Sequence, residues 1–387
     1  MSPARYALVA GGGTAGHLEP ALAIAEALVE AGHGRDSIEF VGSKRGQDRV
    51  TLEGRGFPVT LLPGRGIVRG RRAGDIGRNL GAVVGLAAAT VRALALVART
   101  RPRVVVSVGG YASVPASSAA VVLGVPLVLV NVDAVPGAAN RLFGRFARAS
   151  AVGWPGNPLP RAVVTGTPVR PQIAGVVRGP DACRQARLSL GLPADRPTVA
   201  VFGGSLGARR LNDAVAGLVD GWKDRADRSI FHIVGRRDWD ERPPAGGGTN
   251  RGSAGGPGLS VVAVPFEERM DLVYGASDLV VCRAGAMTVA ELAVAGVPSI
   301  LVPLPGAPGD HQTANARLLQ RAGAALVLPD PECDPVTLAE RIDCLLDDRS
   351  GLEAMGRAAK SVGRPDAAAA GARVVEANAR PAPGRSA

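Results

Sequence analysis

Aromatic residues make up only 3% of the 387-residue chain, and lysine occurs just as Lys44, Lys223 and Lys360. The formal net charge of +11 therefore rests almost entirely on arginine. Neither an RNP-like aromatic pattern nor a basic helix followed by heptads accompanies it, so this charge carries no argument for a nucleic-acid partner. The four cysteines, Cys183, Cys282, Cys333 and Cys344, contain no CxxC pair, which excludes zinc-finger spacing. With no cleavable signal sequence, a reducing cytoplasm is the simplest setting. His33, Asp36 and His232 lack HExxH or facial-triad spacing, so neither a metal nor a cofactor is expected. Long hydrophobic runs are missing too. Residues 82–98 are interrupted by Arg92 and residues 114–130 by Pro126, short of a clean span of about 20 residues.

What the chain does have is glycine, in two loops that each follow an apolar run and open a predicted helix. The first follows residues 6–10 and reads Gly11-Gly12-Gly13-Thr14-Ala15-Gly16-His17. The second follows residues 198–202 and reads Gly203-Gly204-Ser205-Leu206-Gly207-Ala208. Strand, tight glycine turn, helix is how an α/β sheet presents unpaired amides to a ligand. Two such units about 190 residues apart predict two domains with a ligand held between them.

Continuous valine-rich runs, rather than alternating ones, predict strands covered on both faces. They fall at residues 37–41, 59–62, 104–108, 127–130 and 162–165, and again at 229–234, 259–264, 279–281 and 299–302. The intervening periodic segments predict helices at 19–31, 47–53, 82–98, 114–123, 208–219, 270–274, 288–295, 312–321 and 335–346. The fold class is α/β with mainly parallel, doubly wound sheets. A boundary is expected at the Pro- and Gly-rich segment 166–171, and a mobile surface loop at 241–258. Predicted helices at 352–362 and 367–377 return to the first domain, and residues 379–387 read as a disordered tail.

His17 lies where the first helix begins, near the carboxyl edge of the sheet. A helix N-terminus disfavours a protonated ring, so it reads either as a neutral general base or as a brace for the turn. Ser205 and the amides around it can meet anionic oxygens. Arg170 and Arg283 offer charge-assisted bonds to the same anion, or ordinary solvent salt bridges. Glu291, a lone acid in an apolar helix, could take a ribose diol or face solvent. His311 and Gln312 could contact a sugar. Residues 64–103 hold nine arginines and one acid, Asp75, among small apolar residues. That is either a surface for anionic lipid or an arginine-rich solvent face.

Taken in order, Gly12-Gly13-Thr14-Ala15-Gly16-His17, Gly109-Gly110-Tyr111, Gly166-Thr167-Pro168-Val169-Arg170, Gly203 to Arg209 and Cys282-Arg283-Ala284-Gly285-Ala286-Met287-Thr288 resemble one family. It is the MurG family of UDP-N-acetylglucosamine:N-acetylmuramyl-(pentapeptide) pyrophosphoryl-undecaprenol N-acetylglucosaminyltransferases. The resemblance runs from about residue 7 to 374. It implies a GT-B fold, two Rossmann-like domains facing across a cleft. Residues 1–168, completed by helix 352–378, would form the acceptor and membrane-facing domain, and residues 169–351 the UDP-sugar domain. The implied reaction is inverting transfer of N-acetylglucosamine from UDP-N-acetylglucosamine to undecaprenyl-linked muramyl-pentapeptide, with no nucleic acid involved. The implied setting is peripheral, on the cytoplasmic face of the cell membrane, with an anionic membrane surface and cell-wall synthesis proteins as further partners.

Residue by residue, His17 would be the catalytic base, with Thr14, Tyr111, Asp133 and Asn140 on the acceptor side. Donor contacts would come from Thr14, Ala15, Gly16, Arg170, Ser205, Leu206, Gly207, Asn212, Arg283, Gly285, Ala286, Met287, Thr288 and Glu291. Phe266 and Glu267 match the segment whose backbone reads uracil, with Met270 nearby, while His311 and Gln312 match the pair that addresses the donor sugar. One departure stands out: the family's His-Glu-x-Asn reads Val130-Asn131-Val132-Asp133 here, before Pro136-Gly137 and a retained Asn140. Three alternatives accompany the reading: a related glycosyltransferase with another acceptor, a UDP-N-acetylglucosamine epimerase, and an inactive membrane partner.

Overall fold

The computed structural model describes residues 5–12, 15–44, 52, 54–63, 73–204, 207–241 and 258–381. The expected helix at 47–53, the loop at 241–258 and the tail at 379–387 lie mostly outside these residues. Thr14, Ser205 and Leu206 lie wholly outside them.

The chain divides into two compact units, Met1–Val169 with Arg364–Ala387, and Arg170–Gly363. The first carries a seven-stranded parallel sheet: β1 (Ala7–Gly11), β2 (Ile38–Ser43), β3 (Val59–Leu62), β4 (Val104–Gly109), β5 (Leu127–Asn131), β6 (Ala149–Val152) and β7 (Ala162–Val164). Their order is β3-β2-β1-β4-β5-β6-β7. Strands β1, β2, β4, β5 and β6 are buried along their whole length, as continuous apolar runs predict. Helices Ala73–Thr100 and Val114–Val122 cover one face, where Ala89, Ala93, Leu96 and Val97 join Ala116, Ala119 and Ala120 over the sheet.

The second unit holds a six-stranded parallel sheet: β8 (Thr198–Phe202), β9 (Ser229–Ile233), β10 (Ser260–Val264), β11 (Leu279–Cys282), β12 (Ser299–Leu301) and β13 (Ala325–Val327). The order is β10-β9-β8-β11-β12-β13. Its core packs Leu211, Val215 and Leu218 of helix Arg209–Gly221 and Leu338 and Ile342 of helix Pro335–Asp347 against Val199, Val281 and Ile300. In each sheet the strand order reverses once, between β1 and β4 and between β8 and β11. Such reversals open a crevice at the carboxyl ends of the strands, where open α/β sheets take ligands.

Three expectations need correction. The boundaries fall after Val169 and after Gly363. Helix Arg349–Val362 stays with the second unit, and Ala367–Asn378 alone of the two terminal helices returns to the first. The first helix starts at Ala15 rather than 19, with Pro20 inside it. A proline there costs one backbone bond close to the helix start. Residues 82–100 form a helical stretch long and apolar enough to cross a membrane by composition, although a buried stripe ties it to the first sheet.

Candidate active site

At the first reversal, β1 ends at Gly11 and helix Ala15–Glu30 begins with Ala15, Gly16 and His17. The His17 imidazole lies against Gly109 and Gly110 at the end of β4. Gly109 has φ +95°, and a Cβ there would come 3.3 Å from His17 Cδ2 and 3.6 Å from Asn140 Nδ2. Glycine is thus required twice over, for the backbone angle and for the space that brings imidazole and amide side by side.

Asn140 is buried, donating from Nδ2 to Val130 O at 3.0 Å and to Asn131 Oδ1 at 3.2 Å. Its own Oδ1 is buried without a partner among the described residues. Asn131 in turn donates to the main-chain O of Asp133 at 2.7 Å. An amide at 131 can therefore accept from Asn140 and donate to Asp133 together, which a carboxylate cannot do. The departure from His-Glu-x-Asn is a self-consistent hydrogen-bonded chain. Tyr111 opens the turn after Gly110, and its hydroxyl donates to Ser43 Oγ, at the end of β2, at 3.0 Å.

In the second unit, Gly207 closes the loop after β8 with φ +87°. A Cβ there would collide with the Asp238 carboxylate and lie 2.6 Å from Val234 O. Behind it, Asn212 donates to Val234 O at 3.0 Å and to Asp238 Oδ2 at 2.9 Å, while its Oδ1 accepts from His232 Nε2 at 2.9 Å. Burial pushes the His232 pKa down to about 4, so the ring is neutral with its proton on Nε2. Arg237 holds Asp238 Oδ1 from Nε and Nη2 at 3.0 and 2.9 Å. Asn212 is thereby placed as a brace of the glycine loop. The sequence weighed His232 only against a metal role and did not single out Asp238. His232 is a polar residue inside an apolar strand, whereas Asp238 is one charge among several in the short polar helix Arg236–Glu241.

Glu291 is buried in helix Ala286–Ala295. Arg170 reaches its Oε1 from Nε and Nη2 at 3.3 and 3.2 Å, and the Tyr274 hydroxyl donates to Oε2 at 2.9 Å. The solvent-facing alternative for Glu291 falls. Burial, and then the Glu291 charge, raise both the Tyr274 hydroxyl and the Cys282 thiol well above their ordinary pKa values, so both stay protonated. Gly285 caps the same helix without a side-chain oxygen. The first amides of the helix, at Ala286, Met287 and Thr288, are those a helix cannot bond internally.

Arg283 donates from Nη1 to Val302 O and Pro303 O at 3.1 and 3.2 Å and pairs with Asp330, so it holds the loop after β12. Gln312 Oε1 accepts from Ala284 N at 3.2 Å and Leu304 N at 2.9 Å, joining the loops after β11 and β12. Asn315 adds a bond to Ala284 O at 3.2 Å. His311 Nδ1 donates to Pro308 O at 2.9 Å. Beside it, Asp310 sits at φ +50°.

Farther along the sheet, the Arg236 guanidinium lies 4.3 Å from the ring centre of half-exposed Phe266. Burial opposes ionisation of Glu267, but bonds from Arg269 outweigh it and hold the carboxyl below its usual range. Met270 begins the helix Met270–Ala276. Among the described residues no cluster of His, Cys, Asp and Glu has the makings of a metal site.

Residues 7–152 match the glycosyltransferase family 28 N-terminal domain and residues 198–370 its C-terminal domain. A protein of Desulforudis audaxviator, named UDP-N-acetylglucosamine--N-acetylmuramyl-(pentapeptide) pyrophosphoryl-undecaprenol N-acetylglucosamine transferase, is 39% identical over 365 residues, 93% of this chain and 95% of its own. A protein of the same name from a Nocardioides species is 39% identical over 368 residues, 95% of this chain and 96% of its own. This chain belongs to the MurG family. The crystal structure of Acinetobacter baumannii MurG aligns over 97% of this chain and 100% of its own, with a TM-score of 0.75 and 28% identity. A kitacinnamycin glycosyltransferase at 16% identity and TM-score 0.69 shares the fold. Like other members of the MurG family, the chain is a glycosyltransferase with two parallel-sheet α/β domains of the GT-B class.

Proposed function

We propose that this enzyme transfers N-acetylglucosamine from UDP-N-acetylglucosamine to the C4 hydroxyl of undecaprenyl-pyrophosphoryl-N-acetylmuramyl-pentapeptide, with inversion, in peptidoglycan synthesis. The observation that carries the reading is His17, seated against Gly109 and Gly110 beside the buried Asn140 amide in a chain of this family. His17 takes the hydroxyl proton as the acceptor oxygen forms its bond to the anomeric carbon. The bond from that carbon to the diphosphate breaks, and UDP leaves with the electron pair. Charge growing on the diphosphate meets the amides of the glycine loop before Ala208 and those opening helix Ala286–Ala295. Glu291 takes the ribose, and the Arg170 and Tyr274 bonds fix its orientation. His311 Nε2 meets a sugar hydroxyl, and the Gln312 side chain sets the two loops around the sugar.

The experiment is an acceptor panel with radiolabelled UDP-N-acetylglucosamine. Product with the undecaprenyl-linked muramyl-pentapeptide alone supports the assignment. Product with other lipids or glycans only points to a related transferase, and isomerised sugar without any acceptor points to an epimerase.

The enzyme works at the cytoplasmic face of the membrane, held there peripherally. Helix Ala73–Thr100 supports this reading: Val83, Val84 and Val91 are exposed on it, within the arginine-rich stretch 64–103. Vesicle sedimentation tests it. Binding to anionic vesicles that weakens with salt is expected; binding indifferent to lipid charge contradicts it.

A further inference from the structure

At the opposite end of the second sheet, the amino ends of β8, β11 and β12 border a cavity of about 620 Å³. Pro197, Asp278 and Pro298, each just ahead of one of these strands, form part of its wall. The glycine loop and Gln312 belong to the other, carboxyl side, and neither they nor Glu291 line the cavity. A volume of this size suits a small-molecule ligand.

The charges lining the cavity do not balance. Buried Arg187 is fully committed, donating to Ala276 O at 3.1 Å, Ala194 O at 2.9 Å and Asp278 Oδ2 at 2.7 Å. Asp278 is engaged a second time by the Thr198 amide at 2.7 Å. Glu353 pairs with Arg349 at 3.7 Å, leaving Asp195 as the remaining lining acid. Against it stand Arg178, Arg184, Arg357 and Lys360. None of these four makes an ion pair among the described residues.

Arg178 is the most telling of them. It is half-buried, and its Nη1 donates to Tyr274 O at 2.7 Å. Burial lowers its pKa, and the neighbouring Arg187 charge adds to that, only partly offset by Cys183 and Asp278. A desolvated guanidinium that must share the Asp278 charge with Arg187 is costly, and an anion in the cavity would relieve it. The first turn of helix Pro180–Ser189 borders the same space, with Gly179 supplying no capping oxygen. Guanidinium forks fit phosphate oxygens in pairs, and four cations set against the single acid Asp195 suit more than one negative charge.

We infer that this cavity is a second anion site, distinct from the transfer site, that binds a phosphate-bearing small anion through Arg178, Arg184, Arg357 and Lys360. Its phosphate can belong to a soluble compound or to a lipid headgroup. Cys183 lines the cavity and is half-buried, so its alkylation reports occupancy locally; exposed Cys344 lies elsewhere and serves as the internal reference.

The test uses the full chain, saturated with UDP, and titrates inorganic pyrophosphate while following N-ethylmaleimide labelling of both cysteines. Calorimetry runs in parallel. Pyrophosphate should slow labelling of Cys183 saturably and leave Cys344 unchanged. The combined variant Arg184→Gln, Arg357→Gln, Lys360→Gln, which alters exposed side chains, should need about tenfold more pyrophosphate or higher. Its UDP affinity should stay as in the parent. Phosphatidylglycerol vesicles that also protect Cys183 assign the phosphate to a headgroup, whereas protection by pyrophosphate alone assigns it to a soluble compound. No saturable protection or heat in the parent, or the same pyrophosphate dependence in the variant, overturns the site.

Discussion

At the scale of single residues, the proposed chemistry separates into two groups that respond differently to substitution. His17→Ala should reduce turnover with lipid acceptor by roughly 10²–10⁴-fold while leaving UDP affinity near that of the parent, because the imidazole acts on the acceptor proton. Glu291→Gln keeps the size of the side chain and an acceptor for Tyr274, but removes the charge. It should weaken UDP binding about tenfold by calorimetry, as one charged hydrogen bond is worth. Normal turnover in the first variant, or unchanged UDP affinity in the second, removes that residue from its role. The sequence singled out His17 by its place at the helix start after the glycine turn, and Glu291 as a lone acid in an apolar helix. The burial of Glu291 decides only against its solvent-facing alternative. The surroundings of the two residues were not legible in the sequence. Tyr274 looks like core in an apolar segment, and nothing local says that its hydroxyl meets Glu291. Nor could spacing alone tell that Asn131 and Asp133 would join Asn140 in one chain of bonds.

At the scale of elements, the strand–loop–helix unit carries the site, and its glycines are set by what lies behind them. Gly207→Ala places a methyl group against Asp238 and Val234 O and holds a non-glycine residue at positive φ. Strain of about 1–3 kcal/mol at such a position should open the loop and weaken UDP binding roughly 10- to 100-fold, with the circular dichroism spectrum retained. Unchanged UDP affinity would show that the loop does not hold the diphosphate. The long, buried strands were readable as continuous apolar runs. Strand β6, reading Ala149-Ser150-Ala151-Val152, and the three-residue β13 were missed, because so short a segment shows no period. Helix Pro180–Ser189 was missed for another reason. It is mostly polar and buries only Ala186 and Arg187, so no apolar stripe marks it.

At the scale of the whole molecule, two glycine loops some 190 residues apart were enough to announce two units. The return of the chain was less legible, since both terminal helices are alanine-rich and amphipathic. What separates them is packing: Ala359 of Arg349–Val362 is buried in the second unit, while Ala367, Ala372 and Val375 of Ala367–Asn378 are buried in the first. His33 Nε2 meets Glu376 Oε1 at 3.0 Å across that packing.

The central claim is a single displacement at the anomeric carbon with His17 as base. The measurement that tests it most directly is proton NMR of the product from UDP-α-N-acetylglucosamine and the muramyl-pentapeptide lipid. A β-linked disaccharide, with one UDP released for each linkage, is the predicted result. An α-linked product, or UDP release without a linkage, would contradict it.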